Sequence, residues 1–159
     1  MMKRIFLTIA SLASAVLLLA ACSAKQESNV HHLPNGDLQE TTASVAVAPE
    51  FLNGQPEVVQ QAYRYAAENE ELLQWIPCYC GCGQSAGHRN NLNCFVKEIQ
   101  EDGAVVWDDH GTRCNVCIEI AATSAQMQYE GKTAQEIRDY VDETYKSGYA
   151  EPTPTPMPS

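Results

Sequence analysis

Apolar residues recur at helical spacing in four stretches between residues 56 and 148, and most of these stretches are bounded by residues that start or stop helices. Pro56 suits a first helical position, and Val58, Ala62, Tyr65, Ala66, Leu72 and Leu73 form one stripe behind it. Leu92, Phe95, Val96 and Ile99 form a shorter second stripe that stops before Asp102-Gly103. If Asn91 caps that helix, Cys94 stands in its first turn, off the apolar stripe. Ile118, Ala121, Ala122, Ala125 and Tyr129 make a third stripe, closed by Gly131. The fourth begins at the capping box Thr133-Ala134-Gln135-Glu136 and carries Ile137, Tyr140, Val141 and Thr144 until Gly148. Ala104 to Trp107 is too short to show a period and reads as one extended segment. The pattern predicts an all-α fold: a small domain of about four helices over residues 50–148, with a cysteine-rich loop between the first two.

The ends differ in character. Residues 1–21 read as a secretory leader, with Lys3 and Arg4 followed by a largely apolar run. Leu19-Ala20-Ala21-Cys22 resembles a bacterial lipobox, which makes Cys22 the lipidated first residue of the mature chain. Two or three acyl chains hold a protein stably to a membrane where one does not. Residues 22–49 are polar and rich in small residues, and read as a flexible spacer in which His31 and His32 are solvated. Residues 149–159 alternate Pro with Thr or Met and read as an extended tail. No run after the leader is long and apolar enough to span a bilayer. These features predict an extracytoplasmic protein, anchored by lipid to a bacterial membrane.

Charge narrows the partners. The chain has 20 acidic and 10 basic side chains, a formal −10 that becomes more negative once Lys3 and Arg4 leave with the leader. Such a surface repels nucleic acid and attracts cations. No EF-hand loop appears, so calcium is not the cation expected, and the absence of C-x-x-C-H speaks against covalent haem.

Cysteine carries the chemistry. Apart from Cys22, the chain's cysteines all fall between Cys78 and Cys117. Three of them alternate in Pro77-Cys78-Tyr79-Cys80-Gly81-Cys82-Gly83, where proline and glycine favour a tight loop over a regular strand. Cys114 and Cys117 form a C-x-x-C at the start of the third helix, on one face and at the end where thiolates are stabilised. His88 follows the triple-cysteine loop and His110 precedes Cys114, so each flanks a thiol cluster. Soft sulfur selects Cu(I), zinc or iron–sulfur clusters, and the spacing matches neither a standard zinc finger nor a ferredoxin. The candidate ligands of a copper or zinc ion are therefore Cys78, Cys80, Cys82, Cys94, Cys114, Cys117, His88 and His110. They suffice for two tetrahedral zinc sites or a small Cu(I)–thiolate cluster.

Two other readings of these thiols stay open: a thiol–disulfide protein working through Cys114 and Cys117, and a structural module stapled by three disulfides. A Cys94–His88 nucleophile pair lacks an orienting third residue, so a hydrolase is not expected. The heptapeptide, Gly87-His88-Arg89, Cys94, His110-Gly111, Cys114-x-x-Cys117 and the segment from Gly131-Lys132-Thr133 to Glu136-Ile137-Arg138 resemble the bacterial family named for its PCYCGC motif. The resemblance spans roughly residues 50–145. It implies a lipid-anchored module and brings no established reaction. The function expected is capture, buffering or transfer of copper or zinc, with a metal-donor or metal-acceptor protein as partner and no catalytic residue.

Overall fold

The computed structural model describes residues 29–159, so the leader and Cys22 lie outside the described residues. It corrects the all-α expectation. Four antiparallel strands form one sheet in the order β1–β2–β4–β3 beside five helices. Two of the strands come from the segment read as a disordered spacer: β1 is Val30–His32 and β2 is Leu38–Thr42. They pair as a hairpin around Asn35-Gly36, with Leu33 N–H donating to the Asp37 carbonyl at 2.8 Å. Asn-Gly is among the strongest short-range hairpin signals.

The second predicted helix is also replaced by sheet. Leu92–Cys94 makes a single 3₁₀ turn, and the chain then extends as β3, Val96–Ile99. After a turn at Asp102-Gly103 it returns as β4, Val105–Asp108, in the segment read as extended. The apolar stripe of eight residues was too short to sustain an isolated helix, and the β-branched Val96, Ile99, Val105 and Val106 favour a half-buried pleat. β2 lies on the other side of β4, with Glu40 opposite Trp107 and Thr42 opposite Val105.

Helices form where the other three stripes predicted them, though not always on the predicted face. α1 is Glu57–Glu68, followed after Asn69 by the one-turn α2, Glu70–Leu73. α1 buries Val59, Ala62, Tyr63 and Ala66, so the true stripe keeps Ala62 and Ala66 of the predicted one but has Val59 and Tyr63 in place of the exposed Val58 and Tyr65. α3 is a single turn, Cys82–Ser85. α4, Asn115–Tyr129, packs against α1, and α5, Ala134–Tyr145, packs against α4 and has its capping box intact.

The core lies between the sheet and these helices. Tyr63 sits edge-on to Phe95 at 5.1 Å, beside Trp107, and its hydroxyl donates to the Asp108 carbonyl at 2.7 Å. The Trp107 indole N–H donates to the Thr42 hydroxyl at 2.8 Å. Glu40, buried on β2, accepts from Glu50 N–H at 2.7 Å and so fixes the start of the connection to α1. The terminal segment has no regular structure, yet Thr153 is buried and Arg138 donates to the carbonyls of Thr155 and Pro156.

A chain cut after Thr42 should therefore be less stable than one cut after Ser28. It loses the strand beside Trp107, and fully uncovering a large buried apolar side chain costs about 1.5–3 kcal/mol. Urea unfolding followed by tryptophan fluorescence measures the difference; equal midpoints would show that β1 and β2 are dispensable.

Candidate metal centre

The motif loop begins where α2 ends. Ile76 is buried and its carbonyl accepts from Asn91 N–H at 2.8 Å, which closes the loop at its base. Gly81 takes φ +90°, a left-handed conformation that suits glycine, and caps α3 so that the chain turns sharply between Cys80 and Cys82. The terminal segment holds the other side. Cys78 N–H donates to the Thr153 hydroxyl at 2.9 Å, Thr153 N–H to the Cys78 carbonyl at 2.9 Å, and Ala150 N–H to the Tyr79 carbonyl at 3.0 Å.

The remaining thiols arrive from two other elements. Cys94 closes the 3₁₀ turn before β3. Cys114 is the N-cap of α4, where its Sγ accepts from Cys117 N–H at 3.4 Å, and Cys117 stands in the first turn. Asn91, fully buried, donates from Nδ2 to the Cys117 carbonyl at 3.2 Å and ties the motif loop to α4.

These elements bring the sulfurs together. Cys78 Sγ lies 3.3 Å from Cys117 Sγ and 3.5 Å from Cys80 Sγ, and Cys80 lies 3.5 Å from Cys117. Cys82 Sγ lies 3.7 Å from Cys94 Sγ, and His88 Nδ1 is 3.5 Å from Cys94. All six thiols are free. A disulfide needs about 2.05 Å between sulfurs, whereas zinc bonds of about 2.3 Å set tetrahedral sulfur–sulfur edges at about 3.8 Å. The observed spacings lie close to that edge.

Three groups of donors each lie within 4.8 Å of one another: Cys78, Cys80 and Cys117; Cys78, Cys82 and Cys94; and Cys80, Cys82 and His110. Cys114 enters none of them. Beside the sulfurs is a group of harder donors, Asp37, His88 and His110. The His88 and His110 rings meet edge to face at 4.8 Å. His110 Nδ1 lies 3.2 Å from buried Asp37, which also accepts from Asn35 Nδ2 at 2.7 Å and pairs with Arg113. With Nδ1 so engaged, Nε2 is the nitrogen left for a metal, the arrangement in which a carboxylate orients a ligating imidazole.

Electrostatics favour charge separation within the cluster. Hydrogen bonding from Cys117 lowers the Cys78 thiol to about 4, and hydrogen bonds from Cys114, then Cys117 and Cys78, lower Cys80. The Cys80 partner pushes His110 up to about 9, with Asp37 adding to the effect. Burial pushes Cys94 up and His88 down. An approaching cation meets a preformed thiolate beside an imidazolium, and must displace the imidazolium proton if His110 is to ligate.

Of the eight residues singled out by spacing, Cys78, Cys80, Cys82, Cys94, Cys117, His88 and His110 stand in these donor groups, and Cys114 adjoins them through Cys117 N–H. His31 and His32 are exposed on the edge strand β1. Sequence reasoning missed Asp37, which sits in the supposed spacer; the Asn35-Gly36 turn signal was the one clue that could have placed it. It also missed Asn91 as a strut and Thr153 as a clamp, because both act through contacts distant along the chain. Gly111 proves to be a point of close approach: a Cβ there would stand 2.6 Å from the Phe95 ring and 2.9 Å from the Cys94 carbonyl.

The profile of a family described as "Protein of unknown function with PCYCGC motif" matches residues 10–158. That span extends well beyond the segment carrying the resemblance and takes in β1, β2 and the terminal clamp. No curated protein and no solved structure matches the chain.

Gly111→Ala should destabilise the protein by about 1–3 kcal/mol in chemical denaturation, as overpacking does; an unchanged midpoint would contradict the close approach. In the metal-free protein, brief iodoacetamide pulses should label half-exposed Cys80 and Cys114 first, Cys80 leading because its thiolate is favoured. Peptide mapping that found all six labelled at one rate would contradict the burial of the other four.

Proposed function

The chain belongs to the PCYCGC-motif family, whose function is unknown, and on that footing we propose that it is a metal-binding protein tethered outside the cytoplasmic membrane. It captures, buffers or hands over copper or zinc through its Cys/His centre. The observation that carries the reading is the convergence of Cys78 and Cys80 with Cys117, 39 and 37 residues further along, at 3.3–3.5 Å. Packing alone does not account for thiols from separate elements gathered around one point beside two imidazoles. Soft donors of this kind prefer Cu(I) or zinc to hard cations.

Tethering follows from the sequence. The anchor assigned is a lipid on Cys22, on the strength of the lipobox-like Leu19-Ala20-Ala21-Cys22; among the described residues no helix is long and apolar enough to cross a membrane. A protein held in this way meets metal at the membrane surface, where a donor or acceptor protein can dock against its acidic exterior. Nucleic acid does not fit that exterior.

A thiol–disulfide role is the second reading, favoured by one observation. Half-exposed Cys114 caps α4 and accepts from Cys117 N–H at a helix N-terminus, although, against the lowering effect of Cys117, its neighbour Cys80 and burial push its thiol up to about 11. The rest of the centre argues against it, since four further thiols adjoin that pair.

Protein purified anaerobically from membranes should carry stoichiometric copper or zinc by elemental analysis, and the metal should shield its thiols from alkylation. Metal-free protein that fails to reconstitute, with all six thiols free, would overturn the reading. A Cys114–Cys117 disulfide alone in non-reducing peptide mapping would favour the second one, whereas three disulfides would mark a stapled structural module. Cys22→Ser should move the protein from the membrane fraction to the soluble fraction; unchanged membrane retention would overturn the lipid anchor.

A further inference from the structure

We propose that the three motif thiols are bridging ligands, and that the centre holds three Cu(I) ions in a ring of alternating copper and sulfur. This deepens the metal-binding reading above and rests on it. The inference comes from how the three donor groups overlap. Cys78 is shared by the groups containing Cys117 and Cys94, Cys80 by those containing Cys117 and His110, and Cys82 by those containing Cys94 and His110. Each motif thiol therefore belongs to two groups, and each group contains two motif thiols and one donor from elsewhere. One ion per group closes a six-membered ring: Cys78, Cys80 and Cys82 bridge, while Cys117, Cys94 and His110 are terminal.

Coordination number selects the metal. Cu(I) is satisfied by three donors, two bridges and one terminal ligand, and six donors complete such a ring. Zinc asks for four. A three-zinc ring needs three bridges and six terminal donors, nine in all, where the pocket's thiols and imidazoles number eight. Bridging also explains why the motif alternates. With one residue between successive thiols and Gly81 making the turn, the three sulfurs of one short loop lie pairwise within 4.8 Å. The terminal donors come from three other places: the turn before β3, the turn after β4 and the start of α4.

No electron transfer is involved. Copper enters as Cu(I), each ligating sulfur that is still protonated releases its proton to solvent, and His110 releases its Nε2 proton to solvent and ligates as the neutral imidazole, with Nδ1 kept on Asp37. Five thiolates on three monovalent ions leave the ring with two negative charges, and the Asp37-bound imidazole of His110 supplies the neutral sixth donor.

The test is an anaerobic titration of the full chain, reduced and in detergent, with Cu(I) alone, read by native mass spectrometry and by competition with a Cu(I) chelator. Saturation at three ions is expected, with the metal-free and three-copper forms dominating at intermediate loading. Saturation at one ion, or at two ions filled independently, would overturn the ring and leave the metal-binding reading standing. No binding at all would sink both. Two variants separate bridging from terminal roles. Cys80→Ser breaks two of the three groups at a half-exposed position, and the end point should fall from three ions to one. Cys117→Ser breaks one group, and the end point should fall to two. Equal losses in the two variants, with native-like circular dichroism, would show that Cys80 does not bridge.

Discussion

Sulfur atoms held 3.3–3.7 Å apart in a pocket with little access to water cannot all ionise unless a cation stands among them. Two thiolates at 3.5 Å repel by about 5 kcal/mol at an effective dielectric constant of about 20, and several such pairs share this pocket. Without metal, the cluster copes by sharing protons: Cys78 and Cys117 share one across 3.3 Å, Cys117 also lies within reach of Cys80, and Cys94 is held neutral by burial. A soft cation removes the repulsion and turns the crowding into ligation. Selectivity follows from the same constraint, because only an ion that prefers sulfur recovers the cost of gathering it.

The rest of the fold serves that crowding. The helical layer supplies Cys117 and, through Asn91, anchors the motif loop to α4. The sheet supplies the harder side: β2 follows directly on Asp37, and the turn after β4 carries His110. The two are joined by Leu38 N–H donating to Asp109 at 2.8 Å and by Gln39 Nε2 donating to Asp108 at 2.9 Å. The terminal segment completes the enclosure by pairing with Cys78 and Tyr79, so residues far apart in sequence hold the loop from both flanks. Each wall of the centre also belongs to the hydrophobic core or to hydrogen bonds that tie distant elements together.

The sequence announced the chemistry more clearly than the architecture. Alternating thiols around glycine need a common centre, and that reasoning required no fold. Helices α1, α4 and α5 were legible because long apolar periods and a capping box are local signals. The sheet was missed for two separate reasons. In Leu92 to Ile99 a short apolar run fits either period, and the Asp102-Gly103 turn with β-branched partners should have decided for a hairpin. In Val30 to Thr42 polar composition hid the strands, because β1 is an exposed edge and β2 buries Glu40 and Thr42 rather than large apolar side chains. Asp37 went unseen with them, since a carboxylate's role in orienting an imidazole 73 residues away leaves no local trace. The composition of the Pro/Thr tail carries no sign of its docking, in which Thr153 is buried against the motif.

The most direct test of the account is X-ray absorption at the metal edge of the loaded full chain, which reads the atoms bound to the ion rather than the number of ions. A first shell dominated by sulfur at about 2.3 Å, with at most a minor nitrogen contribution, is the result predicted. A shell of nitrogen and oxygen alone would place the metal on the Asp37–His88–His110 side and contradict the claim that the gathered thiols are the ligands.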